Sequence, residues 1–303
     1  MSPEQPFFSV IIPTYNRAHL IEGTLKHVFG QSYPHYEVIV VDNCSEDNTA
    51  EVLAKYAAQG KLQLIRHDRN YERAKSRNTG MERAAGRYVT LLDSDDILFP
   101  DYLRDAAQFI LVNDEARIFH SLYNIVDESG KTVYRMRFPT IDRGRRHIVN
   151  GNYLSCHGVF MAREIYQHYR FDTNPALTGM EDYEFWLRVL ADFPLRRLKK
   201  YNSALVQHSG RSFKAFRVED TLRQREYILD KFAKDDNLRE KYRNDIKRLD
   251  CSMFVYAAVQ ANFAGAHHEA GKYLKMAARI DPTVVLTRRF WGVFRVATMK
   301  HST

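Results

Sequence analysis

An α/β chain on a mainly parallel sheet is what the first half of this sequence predicts, and three observations carry the prediction. Short apolar runs recur, amphipathic stretches of roughly ten to fifteen residues separate them, and each run breaks into polar residues at its carboxyl end. Strands alternating with helices of that length form βαβ units, whose crossovers pair the strands in parallel.

Phe8-Ser-Val-Ile-Ile12 is strand-like, and Ala18 to Phe29 has helical spacing at Leu20, Ile21, Leu25 and Val28 before Gly30 stops it. Glu37-Val-Ile-Val-Val-Asp42 reads as a second buried strand, and Ser45 to Thr49 starts a helix that continues over Val52 to Ala58. Leu62 to Ile65 is a third strand, Ala74 to Ala85 a helix closed by Gly86, and Tyr88 to Leu92 a fourth strand. This half is Rossmann-like. From Pro100 the signals mix: a helix over Asp101 to Val112, a strand over Ala116 to Phe119, and turns through Asp127-Glu-Ser-Gly130. Residues 131–150 are basic and irregular, with Arg135, Arg137 and Arg143-Gly-Arg-Arg146, and are expected to form a mobile loop. A short strand over Gly158 to Met161 and an amphipathic helix over Glu181 to Leu190 follow. Beyond about Phe213 the chain reads as helix, and Tyr256 to Pro282 resembles a single tetratricopeptide-type helical pair turning at Gly265. One such pair cannot build a solenoid and is expected to pack on the rest of the protein.

A chain of 303 residues that is 45% hydrophobic buries a substantial core and is not disordered. Phe7 to Ile12 is too short for a signal sequence or a membrane span, and Cys44, Cys156 and Cys251 lack the spacing of a disulfide framework or zinc site. A cytoplasmic setting is expected. Residues 195–303 hold 23 Lys and Arg against 11 Asp and Glu, whereas residues 1–194 hold 22 against 26. Such asymmetry suits nucleic acid, an anionic membrane surface, or a merely solvated helical face.

The most informative run is Tyr88-Val-Thr-Leu-Leu-Asp-Ser-Asp-Asp96, a buried strand that ends in the carboxylates Asp93, Asp95 and Asp96. Hard oxygen ligands at one point suit Mg2+ or Mn2+, with remaining positions shared by substrate phosphates. Three further polar segments stand at strand ends: Pro13-Thr-Tyr-Asn-Arg17, Asp42-Asn-Cys-Ser-Glu-Asp47, and Asn70 to Asn78 with Arg73 and Arg77. In an open α/β sheet all four converge on one crevice. There Asp42 suits a base or ribose, Tyr15 a flat ring, and Arg73 and Arg77 phosphate oxygens.

With SVIIPTYNR (9–17), EVIVVDNCSEDNT (37–49), NYERAKSRNTG (70–80), GRYVTLLDSDD (86–96) and GMEDYEFWLRV (179–189) in this order, the sequence resembles an inverting family-2 glycosyltransferase of GT-A fold. The resemblance spans about residues 7–190 and implies a GT-A domain over 1–212, with a basic helical region over 213–303. It implies that Thr14, Tyr15 and Asp42, flanked by Pro13 and Arg17, hold the nucleoside, and that Arg77 and Asn78 support the nucleotide. It further implies a DxD motif in Asp93, Ser94 and Asp95 that meets the donor sugar and a metal-bound diphosphate. Asp182 becomes the general base and Glu181 its neighbour, although both carboxylates equally favour a helix N-terminus. His208 sits where relatives place a segment that folds over the diphosphate, sometimes adding a His to the metal, and Arg211 stands beside it. Trp186, His120 and His157 are expected in the core or on the acceptor side. The donor implied is a nucleotide sugar, with uridine diphosphate the family-level expectation; the acceptor is a glycan or lipid-linked hydroxyl, the cofactor Mn2+ or Mg2+. A nucleic-acid partner is not expected.

Three features depart from the family pattern: Glu72 stands where many relatives have a small residue, Ser76 where alanine is common, and Cys44 where glycine is frequent. A nucleotidyltransferase or NAD-dependent oxidoreductase is disfavoured, since no glycine-rich loop follows the first strand. A catalytically silent carbohydrate-binding or assembly protein is the alternative. The segment Val284 to Lys300 mixes aromatic and aliphatic residues with cations, as an interfacial helix or a core-packed helix would.

Overall fold

The structure, a computed structural model, describes residues 5–113, 116–136, 138–139, 143–208 and 217–299. In chain order the elements are β1 (Phe8–Thr14), α1 (Ala18–Phe29), β2 (Tyr36–Asp42), α2 (Thr49–Ala58), β3 (Gln63–Arg66), α3 (Glu72–Arg83), β4 (Tyr88–Leu91), β5 (Ile97–Leu98), α4 (Tyr102–Val112), β6 (Ile118–Asp127) and β7 (Thr132–Arg135). There follow α5 (Arg145–Ile148), β8 (Val159–Ala162), α6 (Arg163–His168), α7 (Glu181–Asp192), β9 (Leu195–Gln207), α8 (Val218–Lys234), α9 (Asp236–Tyr242), α10 (Ile246–Phe263), α11 (His267–Ile280) and α12 (Arg288–Met299). The chain divides into two compact units, one of Met1–Asp142, Leu154–Thr173 and Phe193–Ser209, the other of Arg143–Tyr153, Asn174–Asp192 and Gly210–Thr303.

The first unit contains the whole sheet, ordered β3-β2-β1-β4-β8-β6-β9-β5 with β7 paired to β6. Strands β1 to β4 are mutually parallel, β8 runs antiparallel to β4 and β6, and β6 is parallel to β9. Since β1 has β2 on one side and β4 on the other, the order reverses between β1 and β4, and the crevice for a ligand lies beyond their carboxyl ends. Every residue of β1 is buried, which is why it reads as an apolar run instead of an alternation. Phe8, Tyr88, Tyr102, Phe119 and Phe160 form the aromatic centre of the core, with Phe119 and Phe160 stacked at 4.8 Å. Helix α3 approaches β1 so closely that a Cβ at Gly80 would collide with the Ile11 side chain.

Three expectations are corrected. Residues 131–150 are not irregular throughout, since Thr132–Arg135 form β7 and Arg145–Ile148 form α5; Arg137 lies outside the described residues. The turn expected at Asp127 is present, as a hairpin turn where Asp127 Oδ1 accepts from the backbone N–H groups of Ser129 and Lys131, both at 3.0 Å. The strand expected over 116–119 extends to Asp127, and β9, not anticipated as a strand, fills a place between β6 and β5.

The second unit is helical. Its core gathers Phe254, Ala258, Ala261, Leu274, Ala277, Phe290 and Val293. The expected pair is present as α10 and α11, with Gly265 at φ 76° in the turn and Pro282 just after α11. Helix α12 divides its faces: Phe290, Val293 and Ala297 are buried, while Trp291 (48%), Phe294 (38%) and Val296 (47%) remain exposed. Among the described residues no helix is long and apolar enough to cross a membrane.

Candidate active site

Three strand-end loops of the first unit are tied together through Asn43. Its N–H donates to Thr14 O (2.9 Å), its Nδ2 to Asn70 Oδ1 (2.6 Å), and its Oδ1 accepts from Tyr71 N (3.0 Å) and lies 2.9 Å from His67 Nδ1. The loop after β1 is fixed to the loop after β2 by Asn16 N to Ser45 Oγ (2.9 Å), Glu46 N to Asn16 Oδ1 (2.8 Å) and Arg17 N to Thr49 Oγ1 (2.8 Å). The sequence reading missed Asn43 and Asn70; an Asn directly after a strand-end Asp was the available signal. Burial holds the His67 imidazole below its ordinary pKa.

Thr14 and Asp42 are register partners at the ends of β1 and β2. Asp42 is fully buried, and its Oδ1 accepts from Ser45 N at 3.0 Å while Oδ2 has an ion-pair contact with Arg66 Nε at 3.3 Å but no hydrogen bond. Thr14 Oγ1 is likewise buried without a hydrogen-bond partner among the described residues. Two adjacent oxygens thus keep unspent hydrogen-bonding capacity, which native interiors rarely tolerate. Pro13 is buried beneath them, and Tyr15 and Arg17 are half-buried on the loop that follows.

At the end of β4 the carboxylates have separate partners. Asp93 Oδ1 accepts from Arg77 Nη2 at 3.0 Å, and the Arg77 guanidinium, 2% exposed as a residue, also lies over the Phe171 ring. Asp95 Oδ2 lies 3.0 Å from His208 Nε2, the residue that follows β9. Asp96 is buried, accepting from Val206 N at 3.1 Å and facing His157 Nδ1 at 2.9 Å. It therefore braces the strand end, and His157 and His120 are core residues. Ser94 is buried, and Arg73 is half-buried on the first turn of α3. Asn78 has both amide atoms on the Phe171 backbone, each at 2.8 Å, so it anchors α3.

Among the described residues no group of three or more His, Cys, Asp and Glu side chains is placed to hold a metal. Asp95 and His208 nonetheless present a carboxylate oxygen and an imidazole nitrogen to one point, donors that suit Mn2+ when water and phosphate complete the shell. Arg211 lies outside the described residues.

In the second unit Glu181 and Asp182 open α7. Glu181 is 4% exposed and its Oε2 accepts from Gly179 N at 2.7 Å, so it turns back onto its own N-terminal turn. Asp182 is half-buried; its Oδ1 accepts from Tyr183 N (2.7 Å) and its Oδ2 from Asn152 Nδ2 (3.1 Å). Burial raises the Tyr256 hydroxyl pKa, and the charge of Asp182 adds to that rise. Asn152 gave no signal in the sequence. Glu184 is fully buried and paired with Arg188 (2.6 Å) and Lys231 (2.6 Å), and Trp186 is core.

Residues 9–170, more than half of the chain, match the family described as Glycosyl transferase family 2. This chain belongs to that family. It is a glycosyltransferase on an α/β fold of GT-A type with added helices. TuaG of Bacillus subtilis (strain 168), named for teichuronic acid biosynthesis, is 32% identical over 195 residues, covering 63% of this chain and 74% of TuaG. Among solved structures, Staphylococcus aureus TarS 1–349 in complex with UDP-GlcNAc superposes with a TM-score of 0.65 at 19% identity, over 97% of this glycosyltransferase and 91% of that chain. The Pyrobaculum calidifontis mannosyltransferase PcManGT, in complex with GDP-Man and Mn2+, gives 0.61 at 18% identity, over 98% and 87%. At these identities the two structures are similar to this glycosyltransferase in fold.

Proposed function

We propose that this glycosyltransferase is metal-dependent and inverting, and moves a sugar from a nucleoside-diphosphate donor, a UDP-sugar, to a hydroxyl of a glycan or lipid-linked acceptor. The observation that carries the reading is the 3.0 Å approach of His208 to Asp95 beside the Arg77–Asp93 pair, at the sheet end where the strand order reverses. Asp42 Oδ2 and Thr14 Oγ1 supply acceptors for nucleoside donors such as a ring N–H or a ribose hydroxyl. Tyr15, Arg17 and Pro13 line that end, and Arg73 and Arg77 serve the phosphates. Asp95 and His208, with Asp93, would hold a Mn2+ or Mg2+ ion, which would neutralise the departing diphosphate. Asp182 removes the acceptor proton as the hydroxyl oxygen attacks the anomeric carbon from the face opposite the leaving group, which inverts configuration. Asn152 holds that carboxylate and Glu181 stiffens the turn that presents it.

On this reading the catalytic residues belong to a domain over 1–212, followed by a basic helical region over 213–303. The UDP-GlcNAc complex of TarS and the name of TuaG support a UDP-sugar donor and a cell-envelope polysaccharide product. The basic residues 195–303 and the exposed apolar face of α12 support peripheral attachment to the cytoplasmic face of an anionic membrane.

A panel of nucleotide sugars scored for Mn2+-dependent hydrolysis tests the reading, with Asp95→Ala as control. Hydrolysis of one donor that is lost in the variant and on chelation is expected. No hydrolysis of any donor would favour the silent carbohydrate-binding alternative.

A further inference from the structure

The second unit holds a cavity of about 440 Å3 walled by Arg145 and Arg146 of α5, Lys241 of α9, Arg243 just after it, and Arg248 of α10. Glu240 and Asp245 stand on the same wall, which leaves an excess of three positive charges. Several other guanidinium groups of this unit are paired: Arg225 with Asp250 at 2.5 Å, Arg188 with Glu184 at 2.6 Å, Arg239 with Asp236 at 2.5 Å. Among the described residues none of the five cations of the cavity makes an ion pair, although two carboxylates are at hand. Arg145 adds an independent sign. Its Nε is buried without a hydrogen-bond partner, and its guanidinium is held near the Tyr242 ring at 5.8 Å. Tyr242 is fixed in turn by its hydroxyl bond to Leu187 O at 2.6 Å.

A buried guanidinium N–H left unspent, with four more cations converging on one concavity, is a chemistry that a phosphoryl group satisfies. Arginine forks bind phosphate oxygens in pairs, and desolvation inside a cavity strengthens each bond. We propose that this cavity is a phosphoryl-group site, separate from the donor's diphosphate and independent of the transfer reaction. The group comes either as a free phosphate ester or as a lipid headgroup, and the cavity places it on the α5, α9 and α10 segments of the second unit.

The test is calorimetric titration of inorganic phosphate into the full chain without divalent metal, comparing the native protein with Arg243→Glu/Arg248→Glu and, as a milder pair, Arg243→Gln/Arg248→Gln. Both positions are exposed, and circular dichroism checks that the helices persist. Saturable binding by the native protein, weakened at least tenfold in both pairs, is expected. In parallel, flotation on phosphatidylcholine vesicles with and without phosphatidylglycerol separates the sources. Flotation that needs phosphatidylglycerol and is lost in the variants assigns the group to a headgroup; flotation unchanged while phosphate binding is lost assigns it to a soluble ester. Native protein that does not bind phosphate, or variants that bind it equally, overturn the proposal.

Discussion

Asn16 (φ 51°), Cys44 (φ 65°) and Glu72 (φ 68°) are the non-glycine residues with a left-handed backbone among those described; Asn16 and Cys44 stand just beyond β1 and β2, and Glu72 opens α3 after the loop that follows β3. An L side chain there costs about 1–2 kcal/mol, which the hydrogen bonds around Asn43 must outweigh. Cys44 and Glu72 are also two of the three departures from the family pattern, the third being Ser76 inside α3, so the glycine or small residue at these two positions has a backbone reason. Cys44→Gly is expected to raise stability by up to about 1 kcal/mol, after the entropic cost of glycine, and Cys44→Val to lower it; urea denaturation decides the sign. At Asp182, Asp182→Asn keeps an acceptor for Tyr183 N and a polar neighbour for Asn152 but cannot take a proton. Turnover is expected to fall by at least roughly a hundredfold with donor affinity nearly intact, read by initial rates beside donor calorimetry. Normal turnover with the true acceptor would place the base elsewhere.

At the level of elements, α3 is the part whose packing and function coincide, since Gly80 meets Ile11 while Arg77 and Asn78 project from the same helix. Gly80→Ala is expected to cost about 1–3 kcal/mol by overpacking and to weaken donor binding as α3 shifts; thermal denaturation and donor titration of the same variant check both effects. The first four strands and the four polar strand ends were legible because β1, β2 and β4 are buried as apolar runs and stop abruptly at Thr14, Asp42 and Asp93. Strand β9 was not legible for a physical reason. Its buried Leu195 and Leu198 are three apart, a helical spacing, because the pairing with β6 shifts register between His120 and Tyr123 and destroys the period of two. Asn152 was equally silent, and Arg145 showed only as part of a basic cluster, as their contacts are with residues distant in sequence. For α12, Trp291→Ser/Phe294→Ser/Val296→Ser removes the exposed apolar face, along with the indole bond to Val285 O (2.6 Å) and the ring contacts with Phe290, and Val296→Ser alone removes exposed surface without them. The triple variant is expected to abolish flotation on anionic vesicles at low salt and Val296→Ser to weaken it, with circular dichroism checking that the helices persist; equal flotation would remove α12 as the membrane contact.

For the whole molecule, pH acts through the loop hub. His67 has its folded-state pKa pushed below the ordinary value of 6.5 by burial, with Lys75 adding to that fall. The unfolded chain therefore binds the proton more readily, so the stability linked to this group is present above about pH 6.5 and is lost as pH falls through the folded pKa. The melting temperature is expected to drop between pH 7.5 and 5.5, and to drop less in His67→Gln, when followed by calorimetric scans. The order of synthesis gives the interleaved chain path a further meaning. Strands β1 to β4 need only the first hundred or so residues, whereas β9 enters the sheet between β6 and β5 after α7 has been made, and Asn150 O receives the guanidinium of Arg289 at 2.9 Å. On the ribosome, the first four strands are thus free to pair early, while His208 at the end of β9 and the segment that carries Asn152 reach their contacts only late, the latter after α12 has emerged.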